Sequence, residues 1–178
     1  MAAILALGVV TWMGVAYNGL VRRRNRVDST WSDVDVLLRR RHDLVPNLVT
    51  TVQGYAGHEA AVLGAVADAR SAAIAASGPA AQGRAESTLA SDVRSVFAVA
   101  EAYPELKAST AFVELQDQLT ATEDGLEHAR QFYNDAVYGY LNAVQKVPTS
   151  LVASLFGFRP REFFQAAAAD RPTIAVRL

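Results

Sequence analysis

The chain has no cysteine among its 178 residues, which removes disulfides, thiolate metal sites and cysteine nucleophiles together. It holds only three histidines, His42, His58 and His128. None follows a glutamate by three residues, since those positions are Arg39, Tyr55 and Gly125. The inward Glu-x-x-His pairs of carboxylate-bridged di-metal bundles are therefore missing. So are His-Glu-x-x-His, a Walker-type glycine loop, a G-x-S-x-G elbow and a dinucleotide fingerprint. With no nucleophile beside a base and no cofactor motif, the sequence predicts no enzyme, no cofactor and no metal site. Acids do stand beside histidines at His58-Glu59, and Asp124 and His128 share a helix face, but solvated polar faces produce such pairs often. The arginine clusters at 22–26 and 39–41 lack the interleaved aromatics that stack on bases, so no nucleic-acid partner is expected. A net charge of −1 is neutral on the matter of partners.

Charge is also missing locally. The first twenty-one residues, MAAILALGVVTWMGVAYNGLV, carry no charged side chain, and the next five, RRRNR, carry four arginines. An uncharged apolar run of that length matches the roughly 20 residues that a helix needs to cross the hydrocarbon core of a bilayer. A cleaved signal peptide would place positive charge before the run and small residues after it. The order here is the reverse. The run is read as an uncleaved anchor, with a buried helix of a soluble bundle as the rival. Tyr17, Asn18, Arg22, Arg23, Arg24 and Arg26 then fall at the membrane interface, where aromatic and cationic side chains suit the headgroups. Positive residues stay on the cytoplasmic side, so the cluster predicts a single-pass protein of the cell membrane with its N-terminus outside and its body in the cytoplasm. Residues 22–43 hold seven arginines against four aspartates, and 44–158 are acidic on balance. An anionic inner leaflet would attract the first stretch and repel the second.

Beyond the anchor lie about 150 residues, enough for one domain with its own core. Alanine is abundant and apolar residues recur at steps of three and four, the signature of helix. One stripe runs Trp31, Val34, Leu38, Arg41, Val45, Leu48, Val52, Tyr55, Glu59, Val62, Val66, with a kink or a helix join expected at Pro46. A second keeps a heptad step through Phe112, Leu115, Leu119, Thr122, Leu126, Ala129, Tyr133, Ala136, Tyr140, Ala143 and Val147, a helix of roughly 55 Å. Between them a shorter helix carries Leu89, Val93, Val96 and Ala100, bounded by Ser77-Gly78-Pro79 and Tyr103-Pro104. The expected fold is all-α: a transmembrane helix over 1–21, an elongated antiparallel three- to four-helix bundle over 22–166, and a flexible tail over 167–178. After Pro148, Leu151, Val152, Leu155, Phe156, Phe158, Phe163 and Phe164 crowd together, either as a cap on the bundle core or as an apolar foot on the membrane.

Polar residues on or near the seams form a candidate buried polar layer: Arg41, Asn47, Glu123, Arg130 and Asn134. Buried polar groups need partners, and such pairs fix register at some cost in stability.

Four stretches in order resemble the LemA family: Tyr17–Glu59, EAYPELKA at Glu101–Ala108, FVELQDQLTATEDGLEHARQFYNDAVYGY at Phe112–Tyr140, and LFGFRPREFF at Leu155–Phe164. The resemblance implies a prokaryotic single-span protein with an N-terminal anchor and a long-helix bundle, without an established catalytic activity, cofactor or substrate. The family's characteristic residues include Trp31, Pro46 and Tyr133, read as structural, and all five members of the polar layer. Three functions follow as expectations. The first is a membrane-anchored scaffold or interaction protein, whose partners are the lipid bilayer and either another protein or a second copy of itself. The second is a lipid-sensing or membrane-shaping protein using the arginine collar and the segment after Pro148. The third is a metal-binding bundle enzyme.

Overall fold

In the computed structural model, which describes residues 1–165, the described residues form six helices and no strand. They are α1 (Ala2–Gln53), α2 (Ala60–Ala75), α3 (Pro79–Ala100), α4 (Pro104–Lys107), α5 (Thr110–Gln145) and α6 (Thr149–Leu155). The expected tail over 167–178 lies outside the described residues. The chain divides into two compact units. Unit 1 takes Met1–Asp35 and His128–Phe163, and unit 2 takes Val36–Glu127 with Phe164 and Gln165.

Why α1 and α5 are helices is plain from their burial. Leu20, Val27, Val34, Arg41 and Leu48 recur every seven residues along α1 and are all buried. Phe112, Leu119, Leu126, Tyr133 and Tyr140 do the same along α5. A seven-residue apolar repeat keeps one helix face against its neighbours. Val147, the last member of the expected α5 stripe, lies past the helix end and is exposed.

In unit 1 the core is made by Leu20, Val27 and Val34 with Tyr133, Val137, Tyr140, Val152 and Phe158. Trp31 lies against Tyr133, ring centroids 5.2 Å apart. The helix α6 is closed by Gly157, whose φ of 69° sets the left-handed turn that only glycine adopts freely. The Phe158 amide then returns to the Ala153 carbonyl at 2.9 Å and the Gly157 amide to the Ser154 carbonyl at 3.4 Å, the two bonds of a Schellman cap. The extended stretch that follows is strapped down by two buried phenols. Tyr140 donates to the Arg159 carbonyl at 2.9 Å, and Tyr133 to the Glu162 carbonyl at 2.7 Å.

Unit 2 has an aliphatic core from Leu44, Val45, Leu48 and Val52 through Leu63, Val66, Leu89 and Val96 to Leu106, Phe112 and Leu119. Helices α2 and α3, joined only by residues 76–78, lie against one another. Pro79 opens α3 at a position where its missing amide costs nothing, and Pro104 does the same for α4.

Of the kink or join expected at Pro46, the join is corrected. The helix runs unbroken through Pro46 to Gln53, and the join falls at 54–59, where Gly54 and Gly57 loosen the backbone. A proline inside a helix leaves the carbonyl four residues earlier without its donor. That carbonyl belongs to His42, and Arg70 Nε on α2 donates to it at 2.7 Å. The gap in the ladder is thus filled from a neighbouring helix, and α1 has no reason to stop.

Candidate functional site

The most polar feature of the interior is in unit 2. Extending the α3 stripe of Leu89, Val93, Val96 and Ala100 back by one step reaches Glu86, which is buried with them at 3% exposure. An isolated carboxylate there would be costly, so it must be paired and hydrogen-bonded. Both oxygens are engaged. His42 donates from Nε2 to Oε1 at 2.7 Å, Gln82 donates from Nε2 to the same oxygen at 3.0 Å, and Arg41 donates to Oε2 at 3.2 Å. The Gln82 amide also reaches the Ala73 carbonyl at 2.9 Å, near the end of α2. Arg41 is itself buried, at 5% exposure, and its other nitrogen pairs with Glu123, whose side chain is 46% exposed. The network therefore runs from a fully desolvated carboxylate to a carboxylate at the surface. Burial raises the affinity of Glu86 for a proton, but the His42 hydrogen bond, the charges of His42 and Arg41 and the Gln82 bond outweigh it and hold its carboxyl below the ordinary 4.5.

At the Arg41–Glu123 edge a cleft of about 220 Å³ opens, lined by Val93, Arg94, Phe97, Leu119 and Asp124 among others. The cluster offers a fixed ion pair and hydrogen-bond donors. Among the described residues no three metal-ligating side chains converge.

The sequence-predicted polar residues are divided. Arg41 and Glu123 meet in unit 2, while Arg130 and Asn134 are partly buried residues of unit 1. Asn47 is corrected. It is exposed, because Leu44, Val45, Leu48 and Val52 point α1 inward and residue 47 falls on the other side of the turn. Sequence reading missed Glu86, His42 and Gln82 as a group. The signal for Glu86 was its place in the α3 stripe; His42 gave none, since its partner is far along the chain, and Gln82 is marked only by standing one helical turn before Glu86.

The interfacial set is in unit 1, and all six residues are exposed: Tyr17, Asn18, Arg22, Arg23, Arg24 and Arg26. The arginines are not equivalent. Arg22, Arg23 and Arg26 line one cleft with Gly19, while the Arg24 guanidinium stands 5.4 Å over the Phe158 ring. Tyr17 meets Phe156 edge-on at 4.9 Å and Phe158 at 5.6 Å. The segment after Pro148 is two-sided: Val152, Ala153 and Phe158 are buried, whereas Leu151, Leu155 and Phe156 are exposed. Ahead of this region α1 is long and apolar enough to cross a membrane, and it is almost wholly uncovered by protein.

An all-helical fold whose first helix is long and apolar enough to cross a membrane has the form of a membrane-associated helical protein. Comparison with known families gives the particular one. Residues 30–177 match the LemA family, and the chain belongs to it. Among characterised proteins, it is similar to the magnetosome proteins MamQ 1 and MamQ 2 of Paramagnetospirillum magneticum, each 25% identical over 205 residues, covering 98% of this chain and 75% of the relative. It is also similar to magnetosome protein MamQ of Magnetospirillum gryphiswaldense, 24% identical over 208 residues, covering 100% of this chain and 76% of the relative. Neither the family's description nor these names carry a catalytic activity.

Proposed function

We propose that the chain is a single-pass membrane-anchored scaffold. Residues 1–21 cross the bilayer, the N-terminus lies outside, and the helical body over 22–166 stands in the cytoplasm to hold a protein partner or a second copy of itself. The observation that carries this reading is the exposure of the first helix: Ile4 is 73% exposed, Leu5 69%, Leu7 69% and Val15 63%. Apolar surface in water costs about 25 cal/mol per Å², and a run of this length ending in four arginines has a bilayer as its natural cover. The role in this reading is one of placement and binding, with the ionic cluster fixing the structure of the body.

Because the chain has no cysteine of its own, single cysteines at Ala2 and Ser77 report topology directly. In intact cells a membrane-impermeant thiol reagent is expected to label position 2 and spare position 77; the opposite pattern overturns the orientation. Crosslinking in intact cells, followed by identification of the products, tests the scaffold. Neither a reproducible partner nor a self-crosslink would refute it.

A second reading, membrane shaping or lipid sensing, is favoured by α6. Leu151 and Leu155 are 68% and 70% exposed, and Phe156 next to them touches Tyr17 at the end of the anchor. Full-length protein reconstituted into vesicles should then deform them, as seen by electron microscopy, and Leu151→Ser with Leu155→Ser should abolish the effect. Vesicles left spherical by the parent chain count against this reading.

A further inference from the structure

Gly19, Arg22, Arg23 and Arg26 occupy positions i, i+3, i+4 and i+7 of α1 and so share one face of it. That face does not lie open as a flat collar. With Asp135 and Gly139 of α5 it forms a cleft of about 460 Å³. Three cations face one acid there, leaving the cleft cationic. A second cleft of about 440 Å³ shares Gly19, Arg23 and Gly139 as a common wall and continues toward Ala16, Leu20, Tyr138 and Ala143. Most of its lining surface is apolar, with Asn142, Lys146 and Thr149 also on its wall. The two make one groove, basic at one end and apolar at the other.

The order along α1 matters. Residues 1–21 are the uncharged apolar run, so the apolar part of the groove, at Ala16 to Leu20, lies at the end of the anchor and the basic part, at Arg22 to Arg26, lies beyond it. Two glycines keep the groove open. A Cβ at Gly19 would meet nothing within 4 Å, and one at Gly139 would come 3.7 Å from Arg23 Nη1. Arg23 is held in place by a bond from Nη1 to the Gly139 carbonyl at 3.3 Å, which leaves its other nitrogens for a ligand. Arg24, on a different face, is taken up by Phe158 and does not enter.

We propose that this groove is a binding site for one anionic phospholipid, its phosphate on Arg22, Arg23 and Arg26 and an acyl chain along Ala16, Leu20 and Tyr138. The site rests on the reading of α1 as a membrane anchor and adds to it a built receptor where a diffuse charge had been expected. Guanidinium forks match phosphate oxygens in geometry. A basic pocket beside a spanning helix is a setting in which anionic headgroups bind. The polarity of the groove runs the same way as that of a lipid in the leaflet, head beyond tail.

The test uses full-length protein purified in detergent with equal phosphatidylglycerol and phosphatidylcholine, read by native mass spectrometry. One phosphatidylglycerol per chain is expected in preference to phosphatidylcholine. Arg23→Gln should lower its retention about fivefold, the size expected for one cation near a headgroup. Gly19→Leu, which fills the groove without changing charge, should lower it at least as much, and Arg40→Gln, an exposed arginine farther along α1, should leave it unchanged. Equal retention of the two lipids overturns the site, as does indifference to Gly19→Leu, which would reduce the arginines to a diffuse collar. Displacement of the lipid by inorganic phosphate in the low millimolar range overturns the lipid assignment in favour of a free anion. Carbonate extraction of the same membranes separates this from the anchor reading. A chain that stays in the membrane yet shows no headgroup preference overturns the groove alone, whereas a chain that is released overturns the anchor and the groove with it.

Discussion

The two units of this chain solve the same problem, holding a helix pair in register, with different chemistry. Unit 1 buries only neutral groups for it, phenol hydroxyls on backbone carbonyls and ring edges on ring faces, and leaves its Arg161–Asp28 ion pair at 2.9 Å open to solvent. Unit 2 does it with a buried carboxylate held by three donors. Neutral hydrogen bonds are cheap to lose, and a desolvated ion is not. The second unit should therefore be brittle where the first is tolerant, and the lowered Glu86 carboxyl should make its stability fall in acid.

The sharpest way to break that contrast is at Glu86. Glu86→Leu leaves Arg41 and His42 in the interior without their carboxylate, and unfolding in detergent followed by circular dichroism should show a loss of about 3–5 kcal/mol. Arg41→Met, His42→Leu and Glu86→Leu together should recover most of it, because an apolar set of similar volume owes no desolvation. Failure of the triple variant to recover would mean that the ions are needed for more than pairing with one another. Acid probes the same group. Since the folded chain lowers the Glu86 carboxyl below 4.5, it binds the proton less tightly than the unfolded chain does. Its contribution is complete above the unfolded value and is lost as pH falls through the folded one. The parent's urea midpoint should be flat from about pH 7 to pH 5 and drop below that, and Glu86→Gln should flatten part of the drop.

A smaller effect is expected at Gly83, which is buried one turn before Glu86 on α3. A Cβ there would lie 2.1 Å from the Gln165 carbonyl oxygen, and backbone cannot step aside as a side-chain tip can. Gly83→Ala should cost about 1–3 kcal/mol by overpacking, with faster hydrogen exchange at the start of α3. An unchanged midpoint would show that residue 165 does not press on α3 in solution. In unit 1, Tyr140→Phe removes one neutral hydrogen bond to the Arg159 carbonyl and should cost about 1 kcal/mol. Burial pushes the Tyr133 phenol up to about 12, with Arg161 opposing and Glu162 and Asp28 adding to it, so this strap should hold through the alkaline range in which exposed tyrosines ionise. Ultraviolet titration of phenolate checks that.

What the sequence could show follows the range of the interactions. The α5 stripe from Phe112 to Tyr140, the bounds of α3 at Gly78-Pro79 and the apolar first helix all rest on local periodicity and backbone punctuation, and all are where that pattern puts them. The long-range pairs were not legible. His42 reads as one of three isolated histidines until Glu86, 44 residues on, arrives beside it. Asn47 sits in an apolar stretch between Pro46 and Leu48, beside buried neighbours, and only the facing of the helix puts it outside. The arginine collar reads as four equal charges, and the fold sends three to a groove and one to a phenylalanine.

Pro46 is the finest instance. Read locally it is a break, because the ring removes a donor and crowds the turn before it. In the fold the carbonyl it frees, that of His42, accepts from Arg70. If that exchange is what lets α1 continue, the two residues must be coupled. Arg70→Ala in the parent leaves the carbonyl without a donor and should cost about 1.5–3 kcal/mol, the range for a charged hydrogen bond. Pro46→Ala restores an amide that can make the ordinary helical bond, so the same Arg70→Ala change should then cost less, by about 1 kcal/mol in a double-mutant cycle. Additive costs would mean that Arg70 contributes through its packing on α2 alone, and that the continuity of α1 past Pro46 rests on the aliphatic core of Leu44, Val45, Leu48 and Val52 instead.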